Sequence, residues 1–305
     1  NQKVPDGWII VAAGNPPEFN RSVREFDMVT YDRLRVINID ADLEVWREYA
    51  REREIHNAIL SYLDIRPQNF YRVEADVDGL KFITARGWED MSSLMYVYEE
   101  LGISINAGVV GEFLHNEDVA EDFGAYYDLY NKYRDDYGIN NILDGNAAPD
   151  IYRRMVEADY DERLTVVNLL LDTLNKHFKY AASLKADTDN WYKSIKDKIK
   201  AGENAAAIDK EKAEFAAQAE RLESVEKQTL AKLENAFDFL EGSKQEISRE
   251  DIGKLDQEML IFVTGLTTGK ESSSFLLVNP CDRYKSYSAM YLKGGRRNQL
   301  LKEME

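Results

Sequence analysis

The residues best placed to do chemistry lie near the start of this 305-residue chain. An unbroken apolar run, Trp8-Ile9-Ile10-Val11-Ala12-Ala13, is bounded by Pro5-Asp6-Gly7 and by Gly14-Asn15-Pro16-Pro17. A short apolar run between turn signals predicts a strand buried on both faces, as in parallel α/β sheets. Asn15 then sits at the carboxyl end of that strand. Four arginines follow, Arg21, Arg24, Arg33 and Arg35, before a second apolar stretch, Val36-Ile37-Asn38-Ile39. Strand, Arg-rich connection and strand together gather polar groups at the carboxyl edge of a sheet, where open α/β sheets bind ligands. An oriented water and positive charge on the γ-phosphate are two requirements of phosphoryl transfer, and a neutral Asn and an Arg can supply them. The plainer alternatives are a turn-forming Asn before Pro-Pro and a surface ion pair of Arg33 with Asp32 or Asp27, worth little.

Residues 5–100 resemble the second half of an AAA+ ATPase module of the MoxR-like group. Gly14-Asn15-Pro16 matches the sensor 1 position at the end of the apolar strand. Tyr31-Asp32-Arg33-Leu34 is similar to the family's Leu-Asp-Arg-Phe element, with Leu in place of Phe. Ile83-Thr84-Ala85-Arg86-Gly87-Trp88 resembles the Ser-Pro-Arg sensor 2 element that starts a lid helix, with Thr-Ala in place of Ser-Pro. The resemblance implies that Asn15 aligns the attacking water and that Arg86 binds the γ-phosphate in cis, coupling the lid to nucleotide. It implies that Arg33 is an arginine finger reaching a neighbouring subunit of a homo-oligomeric ring, with Arg24 and Arg35 as rival fingers. It further implies ATP and Mg²⁺ as cofactors and a chaperone that remodels or matures protein complexes, with a von Willebrand A-type partner. The alternative for Arg86 is a solvated arginine.

The phosphate cradle itself is missing from the sequence. Gly265-Leu266-Thr267-Thr268-Gly269-Lys270-Glu271-Ser272 has three residues between its glycines and Glu after Lys. A P-loop needs four, then Ser or Thr, so that backbone N–H groups wrap the phosphates and the hydroxyl reaches Mg²⁺. No run of apolar residues ending in Asp-Glu offers a metal ligand. Asn1 is not a natural initiator, and a first strand needs neighbours on both sides. The expectation is the C-terminal part of a longer polypeptide, with the P-loop upstream and this chain inactive by itself.

Composition narrows the classes. A net charge of −17 argues against a nucleic-acid surface, because phosphate binding depends on clustered Lys and Arg. No apolar run reaches the roughly 18 residues needed to span a bilayer, and no signal-peptide pattern is present. A single cysteine, Cys281, forms no internal disulfide and suits a reducing cytoplasm. With one Cys and three separated histidines, His56, His115 and His177, a zinc site is not expected. Glu99-Glu100 and Asp135-Asp136 are adjacent in sequence and read as solvated charges.

The elements that position these residues read as mainly α. Residues 1–41 are expected to be a short α/β remnant of an AAA+ core, 42–145 a helical lid domain, and 146–305 a helical C-terminal extension. Asp42 predicts a helix N-cap, Pro67 a helix stop, and Asp78-Gly79 the turn of a loop or short hairpin. Thr84 caps the next helix, Gly87 is a weak spot in its first turn, and Gly102 closes it. More amphipathic helix is expected over 109–137, and Leu143 to Pro149 is a turn. Helices are expected over 150–200, 203–241 and 249–266, the last opened by a Ser248-to-Asp251 capping box. Ile208, Phe215, Ala219, Leu222, Leu230, Leu233, Phe237 and Leu240 form one stripe. That length, on the order of 55 Å, predicts an antiparallel hairpin with the preceding helix. Phe275 to Val278 reads as a late strand. A helical scaffold, with the long helices themselves as the function, is the alternative to the ATPase reading.

Overall fold

The computed structural model describes residues 7–14, 28–76, 79–202, 204–245 and 252–292. The chain divides into two compact units, Asn1–Ala41 and Asp42–Glu305. In the first, one short helix, α1 (Met28–Tyr31), is closed by Asp32 N–H donating to Met28 O at 3.0 Å and Arg33 N–H to Thr30 O at 3.1 Å. The two expected buried strands are a correction. Trp8 to Ala13 and Val36 to Ile39 form no strand, and Ile9 and Ile39 are 86 % and 90 % exposed. A strand is held by a ladder on its flanks, and no described residue supplies one to either segment.

Among its described residues the second unit is helical apart from one hairpin. Helix α2 (Leu43–Glu52) starts where Asp42 Oδ1 accepts from Glu44 N–H (2.8 Å) and Val45 N–H (3.1 Å). Helix α3 (Asn57–Ile65) stops before Pro67, which opens a single 3₁₀ turn, as expected of the residue before proline. Strands β1 (Arg72–Asp76) and β2 (Gly79–Ile83) pair antiparallel, with Asp76 opposite Gly79. Helix α4 (Ala85–Leu101) follows β2 directly. Thr84 Oγ1 accepts from Gly87 N–H at 3.2 Å to cap it, and Gly102 ends it at φ 67°, the left-handed conformation glycine adopts without penalty.

The expected helix over 109–137 is two, α5 (Ala107–Gly111) and α6 (Glu117–Asp136), interrupted where Asn116 caps the second. After α7 (Ile139–Leu143) and α8 (Pro149–Glu157) come the long pair α9 (Tyr160–Ala201) and α10 (Ala205–Gln245). They run antiparallel: Arg221 donates to Tyr180 Oη at 2.6 Å, and Lys198 meets Glu211 at 2.7 Å nearer the turn. At about 1.5 Å per residue each helix is about 60 Å long. In α10 the stripe holds, with Ile208, Leu233, Phe237 and Leu240 buried.

Helix α9 is the centre of the core. Leu164, Val166, Val167, Leu169, Leu170, Leu171 and Leu174 are all buried, so its first turns are enclosed all round. Beyond them, Phe178, Ala181, Leu184 and Thr188 are buried at helical spacing, so burial narrows to one face of the helix. Helices α11 (Ile252–Thr268), α12 (Lys270–Val278) and α13 (Asp282–Tyr291) complete the bundle. The capping box at Ser248 to Asp251 lies outside the described residues. The expected strand at Phe275 to Val278 is a correction: it is the end of α12. Ser272, Phe275 and Leu276 are its buried residues, at i, i+3, i+4, so helical burial wins over a run too short to tell by itself. Among the described residues no helix is long and apolar enough to cross a membrane.

Candidate functional site

Of the residues singled out for phosphate chemistry, Asn15 and Arg24 lie outside the described residues. Arg33 and Arg35 belong to the first unit. Arg33 is exposed in the turn that follows α1, and Arg35 is exposed in the chain beyond it. Arg86 belongs to the second unit, at the second position of α4. It is exposed and pairs with no described residue. The Gly265-to-Ser272 segment is a joint between α11 and α12, where Ser272 Oγ donates to Leu266 O at 2.8 Å. No phosphate cradle exists there, because its polar groups are committed to the joint.

A groove of about 470 Å³ opens between β2 and the head of α6. Its walls include Lys81, His115, Glu117 and Glu121, and its small residues are Ala107, Gly108, Gly111 and Ala120. Phe82 N–H donates to His115 O at 2.9 Å, and the two rings lie 4.6 Å apart, which ties the strand to the loop before α6. Helices α5 and α6 approach closely at Gly124, where a Cβ would stand 3.1 Å from Ala107 N. Asn116 also lines the groove and is 2 % exposed. Its Oδ1 accepts from Val119 N–H at 3.2 Å, whereas its amide nitrogen is buried with no hydrogen-bond partner. Buried donors without acceptors are uncommon and costly.

A second polar cluster joins α3, α4 and α6. Glu99, expected to be a solvated charge, accepts at Oε1 from His56 Nε2 (3.1 Å) and Tyr127 Oη (2.8 Å). The correction has a simple cause: Glu99, exposed like Glu100, stands within hydrogen-bond reach of both the head of α3 and Tyr127 of α6. The His56 hydrogen bond holds the Glu99 carboxyl down at about 2, against desolvation that pushes it up. His56 itself is buried, and its Nδ1 accepts from Ala58 N–H at 3.1 Å as the N-cap of α3. Its backbone N–H donates to Ser92 Oγ at 2.8 Å. Both ring nitrogens are thus used, Nδ1 in capping α3 and Nε2 in tying it to α4, and the cluster is structural. Nothing in the local sequence around either residue announces the pair.

The remaining candidates are inert. Cys281 is buried as the N-cap of α13 and donates to Glu234 Oε1 at 3.1 Å, and burial pushes its thiol up to about 11. A thiol held protonated is a poor nucleophile. Asp136 accepts from Arg154 at 3.2 Å. No group of His, Cys, Asp and Glu that could hold a metal ion occurs among the described residues. No protein-family model, curated protein or solved structure matches this chain.

Proposed function

We propose that the chain is the C-terminal portion of a MoxR-like AAA+ ATPase, an ATP-driven chaperone for the assembly or remodelling of protein complexes. The reading rests on the order of three short motifs at Asn15, Arg33 and Arg86. The observation that carries it furthest is Arg86. Its guanidinium is exposed and pairs with no described residue, in the first turn of a 17-residue helix that starts directly from a strand. An arginine free of an ion pair can meet a phosphate without first breaking a contact. The described residues fit ATP only in this respect: they offer cationic side chains and no cradle for the triphosphate. ATP and Mg²⁺ are therefore assigned to a P-loop segment that these 305 residues do not contain, in a homo-oligomeric ring where Arg33 acts across the subunit interface. When bound, the nucleotide supplies the phosphoryl group that is cleaved. Asn15 orients the attacking water, Arg33 and Arg86 offset charge on the γ-phosphate, and α4 transmits that contact to the helices behind it. A cytoplasmic setting and von Willebrand A-type or other protein clients belong to the same reading.

A second reading, a helical scaffold, is favoured by the α9–α10 hairpin. Its distal half displays Tyr192 and Ile199, 48 % and 49 % exposed, beside the Trp191–Phe215 ring contact. One experiment separates the two. ATP turnover and nucleotide affinity are measured on the native polypeptide and on its Arg33→Ala variant. The ATPase reading expects turnover to fall by about 10³-fold or more, as for loss of an arginine finger, while nucleotide still binds. If the native protein neither binds nor hydrolyses ATP, or the variant turns over normally, that reading falls and the scaffold is the better account.

A further inference from the structure

The corner between α2 and α3 joins a strained backbone to a cap that one proton can remove. Among the described residues Glu54 alone of the non-glycines has a positive φ, 56°, a left-handed conformation that a side chain ordinarily avoids. Tyr96 Oη donates to Glu54 O at 3.0 Å, Lys179 of α9 pairs with its carboxylate at 2.7 Å, and Ile55 N–H donates to Ala50 O at 2.9 Å. Two residues on, His56 closes the corner from the α3 side, where Nδ1 accepts from Ala58 N–H. That cap exists only while Nδ1 carries no proton, and the two ring nitrogens make opposite demands. Glu99 beside Nε2 favours an imidazolium, whereas Ala58 N–H needs a bare Nδ1. Protonation sets two N–H donors 3.1 Å apart. Turning the ring gives no relief, since both nitrogens of an imidazolium are donors. Burial and the N-terminus of α3 further oppose a cation held in place. The neighbours do not share this conflict. Glu99 of α4 is held down at about 2 by the His56 hydrogen bond, and burial pushes Tyr96 of α4 and Tyr127 of α6 up to about 12. Arg134 of α6 acts on Glu99, and Asp172 of α9 acts on Tyr96 and accepts from Asn57.

We propose that His56 makes the α2–α3 corner an acid-released hinge. When the ring takes up a proton at Nδ1, it keeps Glu99 through Nε2 and lets go of Ala58, and the left-handed turn at Glu54 relaxes. Helix α2 remains tied to the unit by the Arg47–Asp64 ion pair (2.7 Å) and by the Trp46 and Phe70 rings, 5.1 Å apart. The corner therefore opens while the helices behind it stay folded. The hinge stands whether or not the chain belongs to an ATPase.

The test follows the whole chain by NMR between about pH 8 and pH 5, the range in which imidazoles ordinarily titrate. Nitrogen shifts of the His56 ring report where its protons sit, and hydrogen-exchange protection factors report the state of the corner. As Nδ1 takes up its proton, protection of the Ile55 and Ala58 amides is expected to fall by about tenfold or more in all, and by no more than about tenfold per pH unit, the limit for one proton. Protection of Leu169 and Leu174 in α9 is expected to stay constant. His56→Asn keeps a capping acceptor that does not titrate, and is expected to hold Ala58 protection level across the range. A ring that never takes the proton, a protonated ring with Ala58 still protected, a fall shared by the α9 amides, or the same fall in His56→Asn overturns the proposal. The first three outcomes are read on the unaltered protein, so they decide the matter even where the variant fails to fold.

Discussion

The imidazole at the head of α3 and a carboxylate of α4 depend on each other through one hydrogen bond. Because His56 Nδ1 accepts from Ala58 N–H, the ring proton sits on Nε2, where it faces Glu99. Tyr127 donates to the same Glu99 oxygen, and its own hydroxyl is pushed up to about 12, chiefly by burial. Glu99 is held at about 2 in the folded chain, below its ordinary value of 4.5. A carboxyl lowered on folding contributes stability above its unfolded pKa and loses that contribution as the pH falls toward the folded one. Here the window is the range between these two values. The carboxylate is one-third exposed, so solvent screens part of the effect. Glu99→Gln is expected to cost about 1–2 kcal/mol at neutral pH and to lose less stability than the parent between pH 5 and pH 2. Urea unfolding measured across that range gives both curves. If they run parallel, Glu99 is not the group that titrates.

Within the elements, backbone approach decides what a residue type means. Gly87 lies in the first turn of α4, where glycine ordinarily costs a helix about 1 kcal/mol relative to alanine. Its role becomes visible only in the fold: a Cβ there would stand 2.8 Å from Phe113 O. That carbonyl belongs to the short loop between α5 and α6, so α4 and the loop pack at backbone distance. Gly87→Ala is therefore expected to destabilise by about 1–3 kcal/mol, the size of an overpacking penalty, in place of the usual gain. Chemical denaturation measures the sign directly, and a stabilised variant would mean that the loop yields freely. The contrast marks what can be read locally. The Asp42 and Thr84 caps, the Pro67 stop and the Gly102 close follow from interactions within a few residues, and each is where its sequence pattern puts it. The Glu99–His56 bond, the Gly87–Phe113 approach and the partnerless Asn116 amide depend on groups brought together by folding. Short apolar runs fall between these cases. Trp8 to Ala13 and Phe275 to Val278 have the composition of buried strands, but a strand also requires a ladder that their composition does not provide.

Over the whole Asp42–Glu305 unit, α9 carries two different burdens along one axis. Its first turns are enclosed by elements from both directions in the sequence. Asn168 donates to Ser61 Oγ of α3 at 2.9 Å, Thr165 meets Tyr126 of α6 at 3.3 Å, and Arg163 pairs with Glu258 of α11 at 2.7 Å. The Arg163–Glu258 pair is buried, and removing one partner of such a pair typically costs about 3–5 kcal/mol. Past Leu184 the surroundings change. Thr188 and Ile195 are its last buried residues, and contacts such as Trp191 Nε1 to Glu211 (3.1 Å) are made with α10. The length of the hairpin was legible from the stripe of α10, whereas the enclosure of α9 was not, because its neighbours come from distant segments. This gradient predicts that the distal hairpin is separable from the core. Deleting Lys185 to Gln218 and joining Leu184 to Ala219 through a short Gly/Ser linker has only to span the spacing of packed helices, about 8–10 Å. The shortened protein is expected to unfold in one cooperative transition with stability within about 2 kcal/mol of the parent, because the deletion removes few fully buried side chains. Calorimetry and urea unfolding together measure both quantities. A broad or absent transition would place the tip inside the folding unit and remove the physical basis for treating the hairpin as a projecting arm. A sharp one would leave that arm free to be used for contact with other proteins, since it does little to hold the core together.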